Sequence, residues 1–424
     1  MTTVNSNLLI FNERAVQTDI HSSKIVDYHP RNAENTGPLE FIIPGSGEEY
    51  IDLNKVDVNI KFKILKADGT AIAATDEVGL NNLAVATIFR DVTLFVGDRQ
   101  VEGGQQDYAY KAYFHNVMQF QPDAQKSHMR ALGWYKDEAG KLNDKTNKGF
   151  VARQKLTEGS KVCELYGPIY LDFFNQPRPL LSNTDMRLKF TIQKPEFLLN
   201  SYKPTNCKIK IVDMTLYVRR LTMNPSVIQG HMIGLNSQNA RYPLNHTRLL
   251  TYSIPTGQKS FRKDNLFPAQ SPKLIMVAMT TNKAFNGDLG ENPFNFDHFN
   301  VNEVALLVNG TSYPGPRYRP DFAGGHFQRD YSDLMEAFNY YNTDDTNGLT
   351  EDDFSKGFTI YAFDRTPDND ISSDYRHPNL GEDIRLDLTF KTVLPETINV
   401  LIYAVFDSEI QITKLRDVIA DYHN

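Results

Sequence analysis

The most tempting chemical site in this sequence is the acidic run NTDDTNGLTEDDF at 342–354. A calcium loop needs oxygen ligands at alternate positions, a glycine sixth and a bidentate glutamate twelfth. Placing Gly348 sixth puts Thr343 first and Phe354 twelfth. The leading ligand is then no carboxylate and the closing glutamate is missing, so the run reads as a solvated acidic loop. Other signatures fail in similar ways. PGSGEE at 44–49 lacks the GxSxG spacing of a serine nucleophile elbow. Neither GxxxxGK[ST] nor GxGxxG occurs to cradle a phosphate. The ten histidines are scattered singly, without the HExxH or HxH pairing that a metal would use. No His/Met cluster suited to copper appears. Glycosidase carboxylates are paired in space rather than in sequence, and nothing singles out a pair. The sequence thus assigns no catalytic, cofactor-binding or metal-ligating residue, and no cofactor. The weight moves from an enzyme towards a binding or building function.

What would position such residues is clearer. A chain of 424 residues exceeds one comfortable core, which predicts two domains. With 26 Phe and 21 Tyr, it favours strands over helical bundles. A net charge of −7, with no basic block longer than Arg219-Arg220, argues against a dedicated nucleic-acid binder. Two cysteines, Cys163 and Cys207, make neither a disulfide framework nor a zinc site and suit a reducing compartment. The start, MTTVNSNLLIFNERAVQ, lacks the pattern of a secretory signal. No apolar run approaches the roughly 18–20 residues of a bilayer span. A soluble protein made inside a cell is expected.

Strand signals dominate the pattern. In KVDVNIKFKIL at 55–65, Val56, Val58, Ile60, Phe62 and Ile64 alternate with polar residues, the mark of an antiparallel sheet with one wet face. DVTLFVGDRQV at 91–101 and EVALLVNGTSY at 303–313 read as the same hairpin arm, about 212 positions apart. Five further elements recur in the same order. FIIPGSG (41–47) resembles YSIPTGQ (252–258). A helix face at Tyr110, Phe114 and Val117 has a counterpart at Tyr331, Leu334, Phe338 and Tyr341. PIYLDFFNQPRP (168–179) resembles FTIYAFDRTPDN (358–369), DMRLKFTI (185–192) resembles DIRLDLTF (383–390), and CKIKIVDMTLYV (207–218) resembles ETINVLIYAVF (396–406). Order, rather than any one match, predicts a duplicated β-domain of about 185 residues per copy.

The expected organisation is an arm at 1–37, a first domain at 38–222, a connector helix at 223–240 and a second domain with a tail at 241–424. Asn224 suits the N-cap of that connector and Pro225 its first turn. No strand–helix alternation of the parallel kind appears, leaving a sandwich, a jelly roll or an up-and-down barrel. Two like-shaped cores are required; one continuous core would overturn the reading.

GENPFNFDHFNVNEVALLVNGTSYPGPRYRPDF (290–322), GFTIYAFDRTPD (357–368) and KIKIVDMTLYVRRLTMNPSVI (208–228) resemble proteins of Polinton/Maverick-like elements and of adintovirus- and adomavirus-like genomes. That group is associated with double jelly-roll major capsid proteins. The resemblance implies an all-β fold of two tandem eight-stranded antiparallel jelly-roll barrels. It implies a hexon-like homotrimer that tiles an icosahedral virion with penton and minor capsid proteins, over an internal membrane in some shells. It implies no specific nucleic acid and no small-molecule substrate. Loops such as 133–160 and 313–330 would face outwards or clasp neighbours, with the arm 1–37 and the tail ITKLRDVIADYHN at the base. The competing reading is a tandem β-sandwich that binds carbohydrate, or a glycan-active enzyme, with surface Tyr and Trp134 stacking on sugars.

Overall fold

The computed structural model describes residues 16–32, 37–105, 107–203, 206–268, 270–371, 376–377 and 381–422. Parts of the expected arm (1–15 and 33–36) and the last two residues of the tail lie outside them. The first half supplies β1 (Ile20–Tyr28), β2 (Leu39–Ile43), β3 (Glu49–Lys66), β4 (Phe89–Val96), β5 (Arg99–Glu102), β6 (Cys163–Pro168), β7 (Met186–Ile192) and β8 (Cys207–Met223). The second supplies β9 (Ala240–Ile254), β10 (Ser260–Lys263), β11 (Leu274–Thr281), β12 (Val301–Val308), β13 (Thr311–Tyr318), β14 (Ile360–Asp364), β15 (Ile384–Phe390) and β16 (Ile398–Ile412).

Each half pairs its strands into two antiparallel sheets with one wiring diagram. The first has orders β1-β8-β3-β6 and β2-β7-β4-β5; the second has β9-β16-β11-β14 and β10-β15-β12-β13. Adding eight to each of these strand numbers of the first half reproduces the second; the short pair Val78–Leu80 and Leu199–Ser201 in the first half, and Val418–Ala420 beside β16 in the second, stand outside this diagram. Among the described residues, no ladder crosses from one half to the other.

Alternation builds these sheets as expected. Along β3 the residues from Val56 to Ile64 are buried at every second position, and β15 repeats the rhythm from Ile384 to Phe390. The hairpin turns fall at Gly97 and at Asn309-Gly310, all at positive φ, where glycine and asparagine carry the least steric penalty. Register fixes which loops share an end. Phe62 faces Cys163 and Ala278 faces Ile360, so the loops 67–88 and 103–162, like 282–300 and 319–359, leave at one end of their sandwich. The hairpin turns and the connector lie at the opposite, basal end.

The longer helices are α1 (Tyr108–Gln119) and α2 (Lys148–Thr157) between β5 and β6, α3 (Pro225–Gly234) between the halves, and α4 (Gln328–Glu336) between β13 and β14. The Asn224 side chain accepts from the Ser226 amide, and Pro225 opens α3.

Several expectations need correction. Residues 20–28, assigned to an arm, form the edge strand β1 against β8, so the first sandwich begins before residue 38. Most β1 side chains are exposed, Ile25 at 69%, which is why no core periodicity marked them. FIIPGSG and YSIPTGQ are not equivalents. The former ends β2 and the latter ends β9, whereas β2 corresponds to β10. An apolar run halted by Ile-Pro marks the end of almost any strand, since proline cannot continue a ladder. PIYLDFFNQPRP begins where β6 stops, whereas its supposed partner contains β14. α4 ends at Glu336, so Phe338 and Tyr341 lie beyond the helix, the latter exposed. The 133–160 stretch is not a bare loop, because it contains α2.

The requirement for two cores is met only in part. Each pair of sheets encloses its own apolar interior, yet the buried side chains of both halves form one contiguous cluster.

Candidate functional site

The feature that joins those interiors is a seam running from the loop end to the base. α1 presents Tyr110, Tyr113 and Phe114 to the β11–β12 connection of the other half. Tyr113 stacks on Phe294 at 4.1 Å and Phe114 on Phe296 at 5.1 Å, nearly parallel in each case. Tyr110 stacks on Phe285 at 5.6 Å and meets Phe294 edge-on. Offset and edge contacts of this kind add about 0.5–1.5 kcal/mol each beyond area burial. The i, i+3, i+4 spacing that makes α1 amphipathic is thus spent on the neighbouring sandwich as well as on its own.

Polar contacts extend the seam in both directions. At the loop end, Lys136 Nζ donates to the Gly348 carbonyl and to Asp353, both at 2.6 Å. Gln125 donates to the Asn347 carbonyl at 3.0 Å, and Tyr340 Oη to the Met118 carbonyl at 2.9 Å. Towards the base, Gln176 donates to the Pro243 carbonyl and the Leu181 amide to Tyr242 Oη. Arg416 Nε reaches the Ser182 carbonyl at 2.9 Å. Bonds spread along the whole length suppress both hinging and sliding.

Midway sits a knot of buried charge. Asp172 accepts from the Thr247 amide at 2.7 Å and from its hydroxyl at 2.9 Å. His246 Nδ1 stands 3.6 Å from Asp172, and its ring stacks on Tyr422. Lys111 pairs with Asp107 at 3.3 Å. Burial, reinforced by the Asp172 charge, holds the Glu102 carboxyl well above the usual range. Burial alone would lower Lys111, but Asp107, Asp172 and Glu102 outweigh it and raise its pKa. A cavity of about 390 Å³ beside this knot is lined by Lys111, His115, Tyr170, Asp172 and Tyr403 among others.

Residues singled out in the sequence have structural work. In the 342–354 run, Thr350 and Asp353 form a capping box on the short helix Glu351–Ser355, while Asp353 also binds Lys136. Trp134, considered for sugar stacking, is 2% exposed and packs beside Tyr113, which removes it from any surface platform. Cys163 and Cys207 are buried and unpaired, with burial pushing Cys163 up to about 11. Among the described residues, no group of three or more His, Cys, Asp or Glu is placed to hold a metal. Among the same residues, no helix is long and apolar enough to cross a membrane. The seam itself escaped the sequence reading; its one signal was NPFNF at 292–296, two aromatics in a segment with no strand rhythm.

No family model matches the chain. A Caenorhabditis elegans protein, F54H12.2, is 25% identical over 428 residues, spanning 96% of this chain and 98% of its own. A chain of the Sputnik virophage superposes with a TM-score of 0.68 at 12% identity, covering 99% of this chain and 92% of that one. The fold is a double jelly roll. The major capsid protein of mavirus superposes with a TM-score of 0.55 at 11% identity, covering 99% of this chain and 95% of that one. Both superpositions span the two barrels together, so the side-by-side arrangement is shared as well as the single-barrel wiring.

Proposed function

We propose that this chain is a structural major capsid protein, built to assemble with copies of itself into trimeric, pseudo-hexagonal capsomers of an icosahedral shell, and not an enzyme. The observation that carries this reading is the parallel seam. Two barrels of one wiring stand side by side with their loop ends together, locked by bonds from end to end. A threefold axis parallel to the barrels would then surround itself with six like-oriented barrels, a tile with nearly sixfold edges. Residues 20–223 and 240–422 would be the two structural units, with α3 as connector and the first residues and tail at the base. Penton and minor proteins, and an internal membrane where one exists, would meet that base. The glycan-binding alternative loses Trp134, the one tryptophan it relied on, which is buried.

The test is to purify the full chain, measure its native mass and image it by negative-stain electron microscopy. Trimers of hexagonal outline, or closed shells, are expected. A stable monomer at high concentration overturns the proposal.

A further inference from the structure

At the loop end, beside the seam, lies a cavity of about 420 Å³ whose charged lining is entirely basic: Lys126, Arg130, Lys136 and Lys148, with no carboxylate among its lining residues. In a chain of net charge −7 this is a local reversal of sign. Two of the four cations are neutralised nearby, Lys136 by Asp353 at 2.6 Å and Lys148 by Glu138 at 3.0 Å. Lys126 and Arg130 have no carboxylate partner among the described residues. Their placement is fixed all the same. Arg130 Nε donates to the Lys126 carbonyl at 2.9 Å, and its guanidinium lies 4.8 Å above the Tyr135 ring. That contact aligns the planar fork and leaves its remaining donors for a ligand. The first-turn amides of α2 contribute little here, since Asn147 already binds the Gly149 amide and Glu138 the Lys148 amide.

We infer that this cavity binds a tetrahedral oxyanion, a sulfate or phosphate group, held by Lys126 and by Arg130, whose guanidinium rests on the face of Tyr135. Concave walls with one sign of charge concentrate counter-ions, and a guanidinium plus an ammonium meets several oxygens of such a group at once. The group could be a free anion or an ester on a glycan chain. The site is built from residues of a single chain, so its test by titration is separate from that of the capsid role.

The experiment is calorimetric titration of the full-length protein with inorganic sulfate, inorganic phosphate, a sulfated heparin-type oligosaccharide and its desulfated form. Lys126→Ala, Arg130→Ala, the double variant and the remote surface control Lys189→Ala are compared. Both target side chains are exposed, so folding is checked simply by unchanged circular dichroism and native mass. Binding should weaken about tenfold with each cation removed, weaken further in the double variant, and persist in Lys189→Ala. It should fall as salt rises. A sulfated chain binding at least tenfold tighter than inorganic sulfate assigns the ester; equal affinities assign the free anion. No binding of any sulfated or phosphate probe below about 10 mM, or unchanged binding by the double variant, overturns the inference.

Discussion

Arg153 on α2 and Asp137 are both fully buried, and replacing Arg153 with methionine tests how the two barrels share stability. The guanidinium donates to Asp137 Oδ1 at 2.7 Å, to the Leu80 carbonyl at 2.8 Å and to the Tyr135 carbonyl at 2.6 Å. Asn147 Nδ2 also donates to Asp137, at 2.8 Å. Methionine fills much of the volume but strands a buried carboxylate and two carbonyls. Removing one partner of such a pair costs about 3–5 kcal/mol, because the surviving charge stays out of water. The melting shift then depends on how much of the chain unfolds together. At roughly 2.1 cal/mol/K per residue, cooperative unfolding of the whole chain carries about 0.9 kcal/mol/K, and a 4 kcal/mol loss lowers Tm by about 4–5 °C. If the first barrel unfolded alone, the same loss would lower its transition by about 9–10 °C. The continuous aromatic seam predicts one transition and the smaller shift, read by differential scanning calorimetry at matched oligomeric state. Adding Asp137→Asn to Arg153→Met should restore part of the loss, with a coupling of about 1–3 kcal/mol. A shift under 1 °C, strictly additive double-variant losses, or two well-separated transitions would refute the reasoning.

Three other outcomes follow from the same contacts. Gly348 holds φ at +76°, and an added Cβ would sit 2.6 Å from Pro122 Cγ across the seam; Gly348→Ala should therefore cost about 2–3 kcal/mol in urea denaturation. Tyr113 Oη is buried without a hydrogen-bond partner among the described residues, so Tyr113→Phe should leave stability unchanged or raise it by about 1 kcal/mol, whereas a loss above that would reveal a hidden partner. Glu102 has its folded pKa raised above the ordinary 4.5 by burial and by Asp172. Between those two values the folded state binds more protons than the unfolded one, so this group's contribution to stability declines as pH rises from about 4.5. Glu102→Gln should flatten that decline, seen as a stability advantage over wild type that grows as pH rises above about 4.5; parallel stability curves would exclude it.

The sequence displayed whatever depended on local alternation, and concealed whatever depended on a neighbour. The hairpins at 91–101 and 303–313 and the strands at 186–192 and 384–390 are true equivalents, because each carries its own burial rhythm and turn residues. β1 carries almost none, since it caps a sheet edge with both faces largely wet, and so its sequence reads as an arm. The false pairing of 41–47 with 252–258 shows the converse hazard. Its offset of about 211 agreed with that of the hairpins, while the strands occupy different places in the sheets. Asp137 and Arg153 fall in the 133–160 stretch expected to be an outward polar loop; only the fold makes them buried and paired.

Why the second copy is parallel to the first, rather than merely present, bears most on assembly. Two sandwiches could equally bury an aromatic seam in antiparallel fashion, and the apolar contacts alone would not distinguish the two arrangements. The directional contacts do. Lys136 meets Gly348 and Asp353 at the loop end, whereas Arg416 meets Ser182 near the hairpin turns, so each end of one barrel is keyed to the same end of the other. Inverting either barrel would leave Asp353 and the Ser182 carbonyl without these donors in a desolvated seam, at about 1–3 kcal/mol for each lost bond. The polar bonds thus specify polarity while the aromatic rings supply adhesion. The proposed capsomer requires that division of labour, because a layer has an outside and an inside only if every barrel in it points the same way.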